Sequence, residues 1–229
     1  MTRFLFGWIP KNLAPIIAVL TAATVILTAI TVFFGETLYF RMMMIWNIFL
    51  SGVPLAFVGI FCVLERRGKH AIAKTCCALG WLLFFPNAPY MLTDFIHLGN
   101  YRFWNGTAFT ANPVVWFALF HSVAGILVGC LFGMLSFWIM HGKLEQKHGK
   151  TTGWIFVLFV SLLSGFAIWV GRCLRFNSWD LFRPVTLVRK VAEQYTSDVP
   201  ATIFLFAGMT FFVYVPLYSL LAKRKGEIA

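Results

Sequence analysis

Residues 84–97 read FFPNAPYMLTDFIH, and this stretch decides how the rest of the chain is interpreted. It begins inside an apolar run and ends on a carboxylate, Asp94, and an imidazole, His97. Pro86 and Pro89 have no backbone N–H, so each leaves a carbonyl group without its helical donor. Hydrocarbon tolerates such carbonyl groups only where protein or a water-filled cavity satisfies them. The stretch therefore predicts a membrane helix that is broken at its prolines and delivers polar side chains to its end.

The composition indicates an integral membrane protein and excludes a soluble domain. Of the 229 residues, 60% are hydrophobic and 12% are charged, and the mean hydropathy is +0.80. Such a balance is typical of chains whose apolar segments lie in lipid. In a soluble protein the net charge of +11 would favour nucleic acid as a partner. Here the basic residues lie mainly between apolar runs, so we expect membrane lipid, and no nucleic acid, as the partner.

Six apolar runs are each close to the roughly 20 residues that cross the hydrocarbon as a helix. The predicted fold is all-α: a polytopic bundle of six transmembrane helices in one integral membrane domain, residues 1–229, with a proline-broken third helix. A short amphipathic helix follows the fifth span, because Val185, Val188 and Val191 recur near helical spacing opposite charged residues. The predicted spans are about 13–34, 42–64, 71–92, 113–140, 153–171 and 200–222.

The distribution of basic residues predicts the orientation. With six crossings both termini share one side, which receives twelve of the 19 lysines and arginines, including those of the short connections 65–70 and 141–150. The other side receives seven: Arg41, Arg102, Arg172, Arg175, Arg183, Arg189 and Lys190. Short basic loops stay in the cytoplasm. We therefore expect both termini in the cytoplasm, a solvated connector at 141–150, and an extracytoplasmic position for Asp94 and the amphipathic helix.

The candidate site residues gather at that extracytoplasmic end. Asp94 and His97 have the i, i+3 spacing that shares a helical face, and Asn47 lies roughly 8 Å below the outer end of the second span. Arg172 and Arg175 stand where the fifth span should meet the membrane surface, and guanidinium groups suit phosphate or carboxylate. Their alternative role is interface anchoring or an ion pair with Asp94 that only fixes the bundle. We expect substrate-binding roles for Asn47, Asn87, Tyr90, Arg172, Arg175, Asn177 and Trp179.

An enzyme acting on a lipid-linked or phosphate-bearing substrate is the first functional hypothesis. Asp94, His97 and Asp180 would be its catalytic acid/base groups. A divalent metal would be the cofactor, with Asp94, His97 and His121 as ligands, although their spacing matches no recognised metal motif. The alternatives are a transporter with its solute site at the broken third helix, and a non-catalytic subunit that binds a partner or lipid.

The fourth span carries a stripe of small residues. His121, Gly125, Gly129 and Gly133 recur at steps of four, and such glycines allow close packing of membrane helices. His121 lies roughly 12 Å from the outer end of the span, so it faces the bundle interior and needs a polar partner. It is either a packing histidine bonded to a neighbour or a proton carrier beside Asp94.

Three stretches resemble the family named for domain of unknown function 1361, which contains bacterial predicted membrane proteins. They are WNIFL at 46–50, LLFFPNAPYMLTDFIHL at 82–98, and Gly171-Arg172 with NSWD at 177–180. The resemblance covers about residues 40–220. It implies a multi-pass helical fold in the bacterial inner membrane, and it brings no established reaction or ligand.

Overall fold

The structure, a computed structural model, describes residues 13–33, 38–68, 70–176 and 183–226. No strand occurs in these ranges, and Trp104 and Phe109 form an isolated antiparallel bridge. The helices are α1 (Ala14–Phe33), α2 (Leu38–Arg66), α3 (Ala71–Phe84), α4 (Asn87–Tyr90), a 3₁₀ helix (Met91–Asn100), α5 (Pro113–His148), α6 (Lys150–Cys173), α7 (Pro184–Gln194) and α8 (Val199–Gly226).

Six helical segments are long and apolar enough to cross a membrane, which confirms the predicted all-α bundle of six spans. They are Ala14–Phe33, Met42–Arg66, Ala71–Asn100, Pro113–His148, Lys150–Cys173 and Val199–Ala222. The amphipathic helix predicted after the fifth span is α7, and none of its residues is buried.

The third span is broken at its prolines, as the sequence predicts. Helix α3 ends at Phe84. The carbonyl oxygen of Phe84 accepts a hydrogen bond of 2.9 Å from Asn87 Nδ2. The Phe85 carbonyl accepts from the Ala88 N–H at 3.0 Å, and the Ala88 carbonyl accepts from Cys130 Sγ of α5 at 3.1 Å. These three carbonyl groups at the break thus have donors within the protein, which is the condition for irregular backbone in hydrocarbon.

Helix α5 lies at the centre of the bundle. Of its most apolar window 78% is buried, against 17% for each of the windows of α1 and α8, which belong to the periphery. It packs against α1, α2, α4, the 3₁₀ helix, α6 and α8. Its start is set by Asn112, whose Oδ1 accepts from the Val114 N–H at 2.9 Å ahead of Pro113 in the first turn.

The glycine stripe of α5 is the contact surface that the sequence predicts. A Cβ atom added at Gly133 would lie 2.1 Å from the Ala88 Cβ. Added at Gly125 or Gly129, it would lie 2.1 Å or 2.0 Å from the sulfur of Met44 or Met91. Because glycine has no side chain, α5 can pack closely against α2 and against the broken part of the third span.

The 141–150 segment differs from the solvated connector that the sequence predicts. Helix α5 continues through His148, and only Gly149 (φ 88°) separates it from α6. His141 is fully buried, and Lys143 forms an ion pair with Glu65 of α2. The prediction of a solvated connector rested on the basic residues. A long helix can carry its charged residues on one side while its other side packs in the bundle.

We expect Gly133→Ala to destabilise the protein by about 1–3 kcal/mol, because its new methyl group meets a Cβ fixed to the backbone of Ala88. Gly125→Ala should reduce the free energy of unfolding by less, because the Met44 sulfur that the new methyl group meets belongs to a flexible side chain that can move. Gly142→Ala is the matched control on the same helix, because a Cβ there has nothing within 4 Å. The midpoint of thermal unfolding in detergent measures all three, and equal midpoints for Gly133→Ala and Gly142→Ala would contradict the packing argument.

Candidate functional site

An ion pair between Asp94 and Arg172 forms the centre of the candidate site. Asp94 comes from the 3₁₀ helix and Arg172 from the last turn of α6. Arg172 Nη2 donates to Asp94 Oδ1 at 2.5 Å, and Arg172 Nε donates to Thr93 Oγ1 at 2.8 Å. The side chains are 6% exposed for Asp94 and 17% exposed for Arg172. One edge of the guanidinium group is therefore held by two adjacent residues beyond the proline break.

The second carboxylate oxygen of Asp94 is also occupied. Asn47 of α2 donates from Nδ2 to Asp94 Oδ2 at 3.1 Å. His97, one turn further along the 3₁₀ helix, places Nε2 3.8 Å from Asp94 Oδ1, which is too long for a hydrogen bond. Both oxygens of the carboxylate thus have donors, and α2, the 3₁₀ helix and α6 meet at one buried charge.

The ring of Tyr90 stacks against one face of the Arg172 guanidinium group. Arg172 Cζ lies 4.1 Å from the centroid of this ring, within the range of a cation–π contact. A Cβ added at Gly171 would lie 3.2 Å from Tyr90 Cε2 and 3.5 Å from the Phe176 carbonyl oxygen. Gly171 therefore lets α6 approach the ring closely, and the arginine next to it stacks on that ring.

This arrangement determines what Asp94 and Arg172 can do chemically. Both oxygens of the Asp94 carboxylate already accept hydrogen bonds, one from Arg172 and one from Asn47. Arg172 has further N–H groups beyond the two that bind Thr93 and Asp94, and its side chain reaches the surface. The pair supports anion recognition by the arginine better than acid/base chemistry by the aspartate.

Two more basic residues lie just beyond Arg172. Arg175 is exposed, has a left-handed backbone (φ 56°) and makes no hydrogen bond or ion pair with the described residues. Lys190 of α7 places Nζ 4.9 Å from the centroid of the Phe176 ring. Val191 packs beside Trp169 and Leu174, so α7 is anchored next to the end of α6.

The structure brings together five of the predicted site residues and separates others. Asn87 caps the Phe84 carbonyl group at the break, and His121 bonds Thr31 Oγ1 of α1 at 2.8 Å. No group of three His, Cys, Asp or Glu side chains within the described ranges is placed to hold a metal ion. Asn177, Trp179 and Asp180 lie outside the described residues. The residues brought together are Asn47, Tyr90, Asp94, His97 and Arg172.

The sequence predicts that the broken helix delivers Thr93 to the site along with Asp94, but it assigns Thr93 no partner and does not indicate Gly171. Thr93 Oγ1 donates to the Tyr90 carbonyl at 2.6 Å while it accepts from Arg172, so it links the broken helix to the ion pair. Its position next to Asp94 was the available signal. The role of Gly171 depends on its distance to Tyr90 across two helices, and no local pattern shows that distance.

Comparison with known protein families gives a match. The profile of a family described as "Protein of unknown function (DUF1361)" matches residues 46–214. This range includes the contacts of Asn47, Tyr90, Asp94 and Arg172. No curated protein and no solved structure is similar enough to be matched with the chain.

We expect Asp94→Leu to destabilise the protein by about 3 kcal/mol, because it leaves the guanidinium charge of Arg172 largely buried without its partner. Arg172→Met should have an effect of similar size. The double variant Asp94→Leu/Arg172→Met should be more stable than either single variant, since it leaves no unpaired charge. Thermal unfolding of the four proteins gives the coupling energy, and strictly additive effects would show that the two side chains do not act as a pair.

Proposed function

Because this chain belongs to the family described as "Protein of unknown function (DUF1361)", its activity has to be argued from its own residues, and we propose that it binds an anionic headgroup at the membrane surface. The ligand class is a phosphate-bearing lipid or a lipid-linked substrate with a phosphate group. Arg172 is the central contact, Arg175 and His97 flank it, and Asp94 is a positioning residue. The membrane is the bacterial inner membrane in this proposal.

The observation that carries the proposal is the way in which Arg172 is held. Thr93 and Asp94 fix one edge of its guanidinium group, and the ring of Tyr90 supports one face. An arginine that is oriented before the ligand arrives loses less conformational entropy on binding. Planar guanidinium donors match phosphate oxygens, and charge-assisted hydrogen bonds are the strong ones.

The charge around this end of the bundle supports an anionic ligand. Among the described residues, the acidic groups here are Asp94, Glu193 and Asp198, and two of them are already paired with arginines. The basic groups are more numerous: Arg102, Arg172, Arg175, Arg183, Arg189 and Lys190. This excess attracts anionic headgroups by about 1 kcal/mol for each basic residue near the surface.

The backbone of Arg175 gives independent support. A non-glycine residue at φ 56° is strained, and such strain is typical of functional positions. Its side chain is exposed and makes no ion pair with the described residues. An exposed cation in a strained turn, close in sequence to a fixed arginine, fits a second contact to the same anion.

A purely structural role is the second candidate, favoured by the occupancy of both Asp94 oxygens. In that case the ion pair only joins α2, the third span and α6, and the protein serves as a non-catalytic subunit. The two candidates differ in what they require of Arg175, because a structural pair between Asp94 and Arg172 makes no use of it.

We propose that the Asp94 end faces away from the cytoplasm, because the opposite end and both termini carry twelve of the 19 basic residues. A fluorescent protein that matures only in the cytoplasm, fused after Ala229, should therefore fluoresce in bacterial cells. A dark fusion, with alkaline phosphatase active at the same position, would reverse the orientation.

We expect Arg175→Gly to weaken retention of phosphatidylglycerol about fivefold, because one cation is lost, while stability is unchanged or higher since glycine tolerates φ 56°. The measurement is native mass spectrometry of protein released from nanodiscs of phosphatidylglycerol and phosphatidylcholine. Inorganic phosphate added to detergent-solubilised protein tests whether the lipid part is needed.

Arg189→Gln is the matched control, because this arginine lies at the same end and already pairs with Glu193 at 3.5 Å. It should change retention less than Arg175→Gly does. Equal retention by wild type and Arg175→Gly, together with no preference for phosphatidylglycerol, would reject headgroup binding and leave the structural role.

A further inference from the structure

A groove at the opposite end of the bundle lies between α5 and α8. Its volume is about 290 Å³, and it is lined by Trp138, Gly142, Glu145, Gln146, Tyr218 and Ala222. The four residues from α5 lie on one face, since they are spaced at helical intervals. Gly142 and Ala222 have little or no side chain, which leaves the space between the two helices open.

The carboxylate of Glu145 in this groove has no lysine or arginine partner among the described side chains. Glu65 nearby is paired with Lys143, and Asp94 at the other end is paired with Arg172. Glu145 instead accepts a long hydrogen bond of 3.3 Å from the Tyr218 hydroxyl. Its side chain is 26% exposed, so within the described part of the chain this carboxylate faces the groove without a lysine or arginine beside it.

His141 lies next to the Glu145 carboxylate but does not form a hydrogen bond with it. Its Nδ1 makes a hydrogen bond of 2.6 Å with the Tyr214 hydroxyl, which fixes the ring. Its Nε2 is buried, has no hydrogen-bond partner among the described residues, and lies 3.9 Å from Glu145 Oε2. That separation exceeds hydrogen-bond length, so Glu145 retains acceptor sites for another donor.

The aromatic lining narrows the chemistry of the ligand. Trp138 and Tyr218 line the same groove as Glu145, and the described residues that line it include no lysine or arginine. Aromatic faces attract organic cations, and a carboxylate beside them supplies the opposite charge. The volume of this groove lies just below the range of about 300–1,000 Å³ that is typical of ligand pockets, so it suits a small chemical group.

We propose that this groove binds an ammonium group, with the cationic nitrogen at Glu145 and the adjoining carbon atoms against Trp138 and Tyr218. The amine comes either from the headgroup of a zwitterionic lipid such as phosphatidylethanolamine or from a small soluble amine. The site is independent of the anion site at Asp94, because it uses other residues at the other end of the bundle.

The test compares wild type with Glu145→Gln, which keeps an acceptor for the Tyr218 hydroxyl and removes the charge. Native mass spectrometry measures retention of phosphatidylethanolamine from nanodiscs that also contain phosphatidylglycerol, and calorimetry measures binding of ethanolamine in detergent. We expect Glu145→Gln to bind the amine about tenfold more weakly. Preferential retention of the lipid identifies the headgroup as the ligand, and binding of ethanolamine alone identifies a soluble amine.

Two further variants keep the test decisive if Glu145→Gln folds poorly. Gly142→Leu fills the groove from a position where an added Cβ meets nothing within 4 Å, so it should abolish amine binding at unchanged thermal stability. Asp198→Asn removes the same charge outside the groove and should bind as wild type does. The proposal is overturned if wild type shows no preference for phosphatidylethanolamine and no heat with ethanolamine, or if Gly142→Leu binds normally.

Discussion

The backbone break in the third span is the constraint on which the rest of the structure depends. Carbonyl groups freed by proline cannot remain unpaired in hydrocarbon, so donors must come from nearby protein. Asn87 supplies one to the Phe84 carbonyl, the Ala88 N–H supplies one to the Phe85 carbonyl, and Cys130 of α5 adds a donor to the Ala88 carbonyl. Cys130 reaches the break only because Gly133 lets α5 come within contact of Ala88. The glycine stripe of α5 therefore also brings this helix into contact with the break.

The break also places a charge where it must be compensated. Beyond it the chain continues as a 3₁₀ helix, and Asp94 is almost fully buried. A buried carboxylate is tolerated when it is paired and hydrogen-bonded, and Arg172 and Asn47 meet this requirement from α6 and α2. The ion pair thus joins three parts of the bundle that are distant in sequence. The ion pair also fixes the orientation of Arg172, whose side chain remains partly exposed, and in the function that we propose the same contacts prepare this arginine for an anion.

The acidic groups at the two ends of the bundle differ in their hydrogen bonding, and the two functional proposals rest on this difference. At one end, both oxygens of Asp94 accept hydrogen bonds, from Arg172 and Asn47. The group that we propose as the ligand contact is therefore Arg172. At the other end, Glu145 accepts one long side-chain hydrogen bond from the described residues, given by Tyr218, and it faces a groove lined by aromatic side chains. Sequence reasoning found the first end because Asp94, His97 and Arg172 stand out among apolar residues. It missed the second end, because His141 and Glu145 lie among lysines that are typical of a solvated connector.

The sequence by itself determined the six apolar spans, the broken third helix, the amphipathic helix and the glycine stripe. These features follow from local rules: hydrocarbon thickness sets the span length, proline lacks an N–H, and helical periodicity sorts residues onto faces. It also indicated Asp94 and Arg172 as candidate partners, but left Arg175 as an equal choice and His121 as a third ligand. Only the tertiary structure decided that Arg172 is the partner of Asp94 and that His121 bonds Thr31 of α1. The physical reason is that pairing across helices depends on rotation and depth in the bundle, which close packing sets and local spacing does not.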